Sequence, residues 1–95
     1  MAGVRIKITG KVQGVFFRHT TRQQAKVLRL RGWVKNLPDG SVLCEAIGPE
    51  KSLLDLIAWC KQGPPRAQVI NTAVEWLDEN EENLGSNPTD FQIID

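Results

Sequence analysis

Gly10-Lys11-Val12-Gln13-Gly14-Val15-Phe16-Phe17-Arg18 is the stretch whose reading decides the fold of this chain. Just upstream, Val4, Ile6 and Ile8 alternate with Arg5, Lys7 and Thr9, the period of a half-buried strand. Just downstream, Thr21, Ala25 and Leu28 share one face of a helix running from about Arg18 to Leu28. A tight glycine-containing loop therefore joins a strand end to a helix start. Such a junction favours an anion, because the first helical N–H groups lack intrahelical partners and the dipole is positive there. Arg18 adds a permanent charge with forked donors matched to phosphate oxygens. Neither the Walker pattern nor G-x-G-x-x-G is present, which argues against a nucleotide loop of either type.

Working outward, Arg29-Leu30-Arg31-Gly32 closes the helix and Trp33 to Leu37 resumes as a strand. Pro38-Asp39-Gly40-Ser41 is a hairpin turn signal. The return strand, Val42 to Ile47, puts Val42, Cys44 and Ala46 on one face and Glu45 on the other. Pro49-Glu50 open a second helix, Lys51 to Gln62, with Pro in its first turn and Leu53, Leu54, Ile57, Ala58 and Cys60 as its buried face. Gly63 and Pro64-Pro65 stop it. A fourth strand spans about Gln68 to Asp78, with a parity shift that implies a bulge near Asn71. Asp78 to Pro88 reads as an acidic, Asn-rich loop, and Thr89 to Ile94 as a last short strand. The order βαββαβ plus a terminal strand predicts an α+β, ferredoxin-like two-layer sandwich. Its sheet is mainly antiparallel, with both helices on one face and a short extra C-terminal strand.

The chain of 95 residues suits a single domain, residues 1–95, with one modest core. No apolar run approaches a membrane span and no signal-peptide pattern opens it, so the expectation is a cytoplasmic protein without membrane contact. Cys44 and Cys60 stand among apolar neighbours without C-x-x-C spacing, which predicts buried free thiols. The net charge of +1 conceals an asymmetry: nine Lys or Arg and no acid precede Asp39, and all eleven acids follow from there. A basic half that carries an anion-shaped loop should concentrate small anions.

Few residues qualify as catalysts. There is one histidine, His19, and no tyrosine, and Ser41 and Ser52 lack a neighbouring base. With one histidine and no acid cluster near the loop, neither a metal centre nor another cofactor is expected. What remains is electrostatic: the backbone N–H groups of the loop, the Arg18 guanidinium and the Asn36 amide. That set can hold a phosphoryl group but offers no strong base, so it suits a substrate with a good leaving group. Taken alone, Arg18 could be a surface arginine and Asn36 an ordinary strand residue. His19 reads as a solvated helix residue, Phe16, Phe17 and Trp33 as core and loop support, and Gln13 as a brace of the loop.

The pieces together resemble the acylphosphatase family. Its G-x-V-Q-G-V-x-F-R is Gly10 to Arg18, its G-W-V-x-N is Gly32 to Asn36, its D-G turn is Asp39-Gly40, and its G-P-x-x-A-x-V is Gly63 to Val69. The match covers nearly the whole chain, is most specific up to about Gly48 and thins after Val74. The resemblance implies a monomeric hydrolase acting on small acyl phosphates by metal-free in-line attack of water. In it, Gln13, Gly14, Val15, Phe16, Phe17 and Arg18 would hold the phosphate, with Arg18 and Asn36 catalytic and Asn36 orienting the water.

Two other readings share this element order. An RNA-recognition module shares the element order, but its aromatics on the third strand are missing from Val42-Leu43-Cys44-Glu45-Ala46-Ile47. An acylphosphatase-like part of a larger carbamoyl-transfer maturation protein is the other, and the lack of a further domain favours a free-standing enzyme. The chain departs from the family pattern at Arg29, where glycine is usual. If the helix ends as in the family, residue 29 adopts the left-handed conformation; otherwise the helix runs through Leu30 and stops at Gly32. The acidic stretch at 78–88 and the terminal Asp95 are further departures.

Overall fold

Val4, Ile6 and Ile8 lie fully buried inside a five-stranded sheet in the computed structural model, which describes residues 2–77 and 90–94. The elements are β1 (Ala2–Lys11), α1 (Phe17–Val27), β2 (Arg31–Asn36), β3 (Val42–Gly48), α2 (Glu50–Gln62), β4 (Gln68–Leu77) and β5 (Phe91–Ile93). The sheet order is β4-β1-β3-β2-β5, antiparallel throughout except for the parallel pair of β2 and β5. Helix α1 lies over β2 and β5, and α2 over β1 and β4, so both cover one face. This is the ferredoxin-like α+β sandwich with an added terminal strand. The expected loop at 78–88, Thr89 and the terminal Asp95 lie outside the described residues.

Helix α1 buries Phe17, Thr21 and Ala25, one side chain per turn of a single stripe. It ends at Val27, with Leu28 as its C-cap and Arg29 just beyond. The Leu30 N–H donates to Ala25 O at 2.8 Å and the Arg29 N–H to Lys26 O at 3.0 Å, with Arg29 at φ +59°. That is the paired Schellman closure, with an arginine in the position glycine usually takes. The alternative of a helix continuing to Gly32 is thereby excluded. Leu30, only 3% exposed, drops into the core behind the closure.

Helix α2 turns a different face inward than the sequence suggested. Leu53, Leu56, Ile57 and Cys60 are buried, while Leu54 and Ala58 are exposed. Both sets obey helical spacing, and the rotation is fixed by packing on the sheet and on α1, where the Phe17 and Trp59 rings meet at 5.5 Å. Pro49 stands one residue earlier than expected, as the N-cap, with Glu50 opening the first turn. In β4 the register passes from Thr9–Asn71 to Gly10–Val69, so Ile70 is the extra residue of a bulge.

The uncovered face of the sheet carries an ion pair that is largely withdrawn from water. Glu45 is 4% exposed, and Arg5 Nε donates to its Oε1 at 2.7 Å while reaching Glu75 at 3.4 Å. Lys7 meets Asp39 at 3.1 Å and Lys26 meets Asp90 at 3.6 Å. The basic first half of the sequence thus folds directly against the acidic second half. Both cysteines are buried free thiols, and burial pushes Cys44 well up and Cys60 up to about 12, which keeps them protonated and inert. No helix among the described residues is long and apolar enough to cross a membrane.

Candidate active site

The loop between β1 and α1 alternates its side chains. Val12, Val15 and Phe17 are buried at 1%, 5% and 2% exposure and anchor it to the core. Gly14 takes φ +75°, and a Cβ there would stand in open space. Glycine therefore serves the backbone path there, at a φ that side chains rarely adopt, and not a close packing contact. Phe16, at φ +64°, is the N-cap of α1 and offers no side-chain cap. The positive end of the helix thus faces the loop without a capping side chain from Phe16.

Arg18 is half-buried in that first turn, which contains no acid. A cation at the positive end of a helix is unfavourable on its own. An anion seated between the guanidinium and the amides reverses the sign of that interaction, because both then attract the same charge.

Asn36, at the end of β2, is brought to the same end of the sheet. Its register partner is the fully buried Val42, so its side chain lies on the helix-covered face. Its Oδ1 is buried and has no hydrogen-bond partner among the described residues. A buried amide oxygen left unpartnered costs free energy unless something donates to it.

Gln13 ties the two parts together. Its Nε2 donates to Leu37 O at 2.8 Å and to Ser41 O at 3.0 Å, the two carbonyls at the base of the β2–β3 turn. That turn is itself closed by Gly40 N–H on Leu37 O at 3.1 Å and Leu37 N–H on Ser41 O at 2.8 Å. The Gln13 side chain is therefore a brace turned toward the hairpin, which leaves to its backbone alone any part in holding phosphate. Asp39 stiffens the same turn by accepting from the Ser41 hydroxyl and, at 2.9 Å, from the Ser41 N–H. Those two bonds, with Lys7 beside them, hold its carboxyl down at about 2.

A model of the family described as Acylphosphatase matches residues 4–93, nearly the whole chain. The chain belongs to the acylphosphatase family. It is 44% identical over 84 residues to the acylphosphatase of Pelotomaculum thermopropionicum, covering 88% of this chain and 91% of that one. The solved acylphosphatase of Bacillus subtilis superposes with a TM-score of 0.90 at 35% identity over the full length of both chains. A solved full-length HypF in its phosphate- and nucleotide-bound form matches 99% of this chain with a TM-score of 0.80 at 27% identity, but only 12% of that longer chain is covered. Acylphosphatases are enzymes that hydrolyse acyl phosphates.

Within this acylphosphatase the remaining candidates separate. Phe17 is core, as expected. Phe16 is not: it is 74% exposed. Trp33 shares its register with Glu45 and so lies on the uncovered face, with Lys35 Nζ 5.3 Å from its ring centre, away from the loop. His19 is exposed on α1. Sequence reasoning missed the exposure of Phe16 and the acceptors of Gln13, which lie 24 and 28 positions away and are backbone atoms.

Proposed function

We propose that this acylphosphatase cleaves the carboxyl–phosphate bond of small acyl phosphates by in-line attack of water, without a metal ion. Arg18 and the amides of Gly14, Val15, Phe16, Phe17 and Arg18 hold the phosphoryl oxygens. Asn36 accepts a hydrogen bond from the attacking water and aims its lone pair at phosphorus. The water oxygen–phosphorus bond forms as the phosphorus–acyl oxygen bond breaks, the electron pair leaving on the carboxylate. A carboxylate needs no proton to depart, and the proton shed by water goes to a phosphoryl oxygen of the substrate. Catalysis is then positioning plus charge stabilisation, which is what a site without a strong base can supply.

The observation that carries this reading is the buried, unpartnered Asn36 oxygen, held at the sheet end that the anion loop caps. We further read the chain as one domain, acting as a cytoplasmic monomer on a small molecule, with no nucleic acid, membrane or cofactor involved. The experiment is phosphate release from a synthetic acyl phosphate in the presence of EDTA, for wild type and Arg18→Ala. Wild type stays active, and Arg18→Ala loses roughly a hundredfold or more, the cost of one donor removed from a transition state. Near-normal turnover by folded Arg18→Ala sinks the assignment, and loss of wild-type activity with EDTA sinks the metal-free step.

A further inference from the structure

Two buried side-chain oxygens lack a hydrogen-bond partner among the described residues, Asn36 Oδ1 and Thr21 Oγ1. The first belongs to the site already described. The second stands on the inner stripe of α1, between Phe17 and Ala25, on a residue that is 0% exposed. A helical threonine ordinarily turns its hydroxyl back onto a carbonyl of the preceding turn. Thr20 does so, donating to Phe16 O at 2.9 Å and to Phe17 O at 3.2 Å. Thr21 does not. Valine has nearly the same shape and would fill the stripe without an orphan hydroxyl, so packing does not account for threonine here.

Strand β2 runs toward the loop end of the sheet, and α1 runs away from that end while packed over β2 and β5. Arg22, next to Thr21, reaches Phe91 O at 3.3 Å, and Phe91 pairs with Gly32, which sets the level of the helix over β2. Asn36 lies on the loop side of Gly32, on the helix-covered face. Helical side chains lean toward the helix N-terminus, so the Thr21 hydroxyl leans from that level back toward the loop. Both oxygens thus enter the layer between α1 and β2, beneath the loop. They are not bonded to each other, so whatever joins them lies between them.

We propose that Thr21 is a second holder of the attacking water, sharing it with Asn36. The proposal rests on the assignment of Asn36 to that water. A water molecule has two hydrogens and two lone pairs, and the shared site gives each a place. One hydrogen goes to Asn36 Oδ1, and the other faces the phosphoryl oxygen that finally takes it. One lone pair accepts from the Thr21 hydroxyl, and the remaining pair is aimed at phosphorus. With a single holder the water would still turn about one bond. Two holders fix its orientation, the main source of rate in a site without a strong base.

The test measures kcat, KM, inhibition by inorganic phosphate and thermal midpoint for wild type, Thr21→Val, Thr21→Ser, Asn36→Ala and the double variant Thr21→Val/Asn36→Ala. Thr21→Val keeps the shape and removes only the hydroxyl, so its midpoint should equal or exceed that of wild type. Its kcat should fall roughly tenfold while KM and phosphate inhibition stay within about twofold. Thr21→Ser keeps the hydroxyl and should return kcat to within about threefold of wild type. In the Asn36→Ala background, Thr21→Val should cost less than about twofold, since the water has already lost its other holder. Unchanged kcat in Thr21→Val overturns the proposal. A further loss of roughly tenfold on top of Asn36→Ala also overturns it, because the hydroxyl then acts elsewhere. A fall in kcat that accompanies a lowered midpoint and is not restored by serine means packing, and overturns it too. Failure of the underlying reading shows separately, as unchanged kcat in Asn36→Ala alone.

Discussion

If its amide serves the water and not the phosphoryl group, as proposed, Asn36→Ala should lower kcat by roughly a hundredfold while leaving inhibition by inorganic phosphate almost unchanged. A phosphate affinity that collapses as far as in Arg18→Ala would instead make Asn36 a phosphate ligand. Gln13→Leu separates positioning from binding in a second way. Leu37 O and Ser41 O each keep a backbone donor when the side chain is removed, so the stability loss should be only about 1 kcal/mol. The distance between loop and hairpin is then no longer fixed, and kcat should fall roughly ten- to a hundredfold with KM moving less. Gln13→Glu should lose as much kcat as Gln13→Leu, because a carboxylate cannot donate to Leu37 O and Ser41 O, and unchanged kcat in Gln13→Glu would contradict the brace. Arg18 and Asn36 stand out in the sequence as candidates because motif spacing around each carries the family resemblance. Gln13 reads there as a brace, but what it braces does not, since a glutamine in a loop has no orientation until the hairpin beside it is placed.

At the scale of elements, the end of α1 gives the sharpest test. Arg29 holds the left-handed position of a complete Schellman closure. Arg29→Gly should therefore stabilise the protein by roughly 1 kcal/mol, net of glycine's freer unfolded chain, or about 4–8 °C in the thermal midpoint. Activity should hardly change, and a lowered midpoint would contradict the closure. The β2–β3 turn gives a pH test. The Ser41 hydroxyl, the Ser41 N–H and Lys7 lower the Asp39 carboxyl from 3.8 to about 2. A depressed carboxylate stabilises the fold fully above its unfolded value and loses that contribution as pH falls through the folded one. Between pH 3.8 and about 2 the thermal midpoint of Asp39→Asn should thus fall less steeply than that of wild type. Identical acid slopes would mean that the turn gains nothing from this carboxylate. Alternation and capping residues made the element order readable, yet the rotation of α2 was not. Leu53, Leu54 and Ile57 describe one possible helical face and Leu53, Leu56, Ile57 and Cys60 another. Only the sheet below and Phe17 beside it decide which one turns inward.

At the scale of the whole molecule, charge and chain order matter most. The basic run from Arg5 to Lys35 is partly neutralised by acids brought from the second half, through Arg5–Glu45, Lys7–Asp39 and Lys26–Asp90. Its pull on an anionic substrate should accordingly be modest: kcat/KM should fall roughly two- to fivefold from low salt to about 1 M, where the screening length shrinks to about 3 Å. A salt-independent kcat/KM would mean that only the local cradle attracts the substrate. The strand pairing has a consequence for how the protein is made. Gly3 pairs with Leu77 and Lys11 with Gln68, so β1 is flanked on one side by a strand that leaves the ribosome much later. While the intervening chain is still emerging from the ribosome, Val4, Ile6 and Ile8 have neither their full sheet nor α2 to cover them. Native closure then waits on contacts of long sequence separation, which slow folding and prolong the exposure of sticky segments. The nascent chain should therefore depend on holdase chaperones far more than the finished enzyme does.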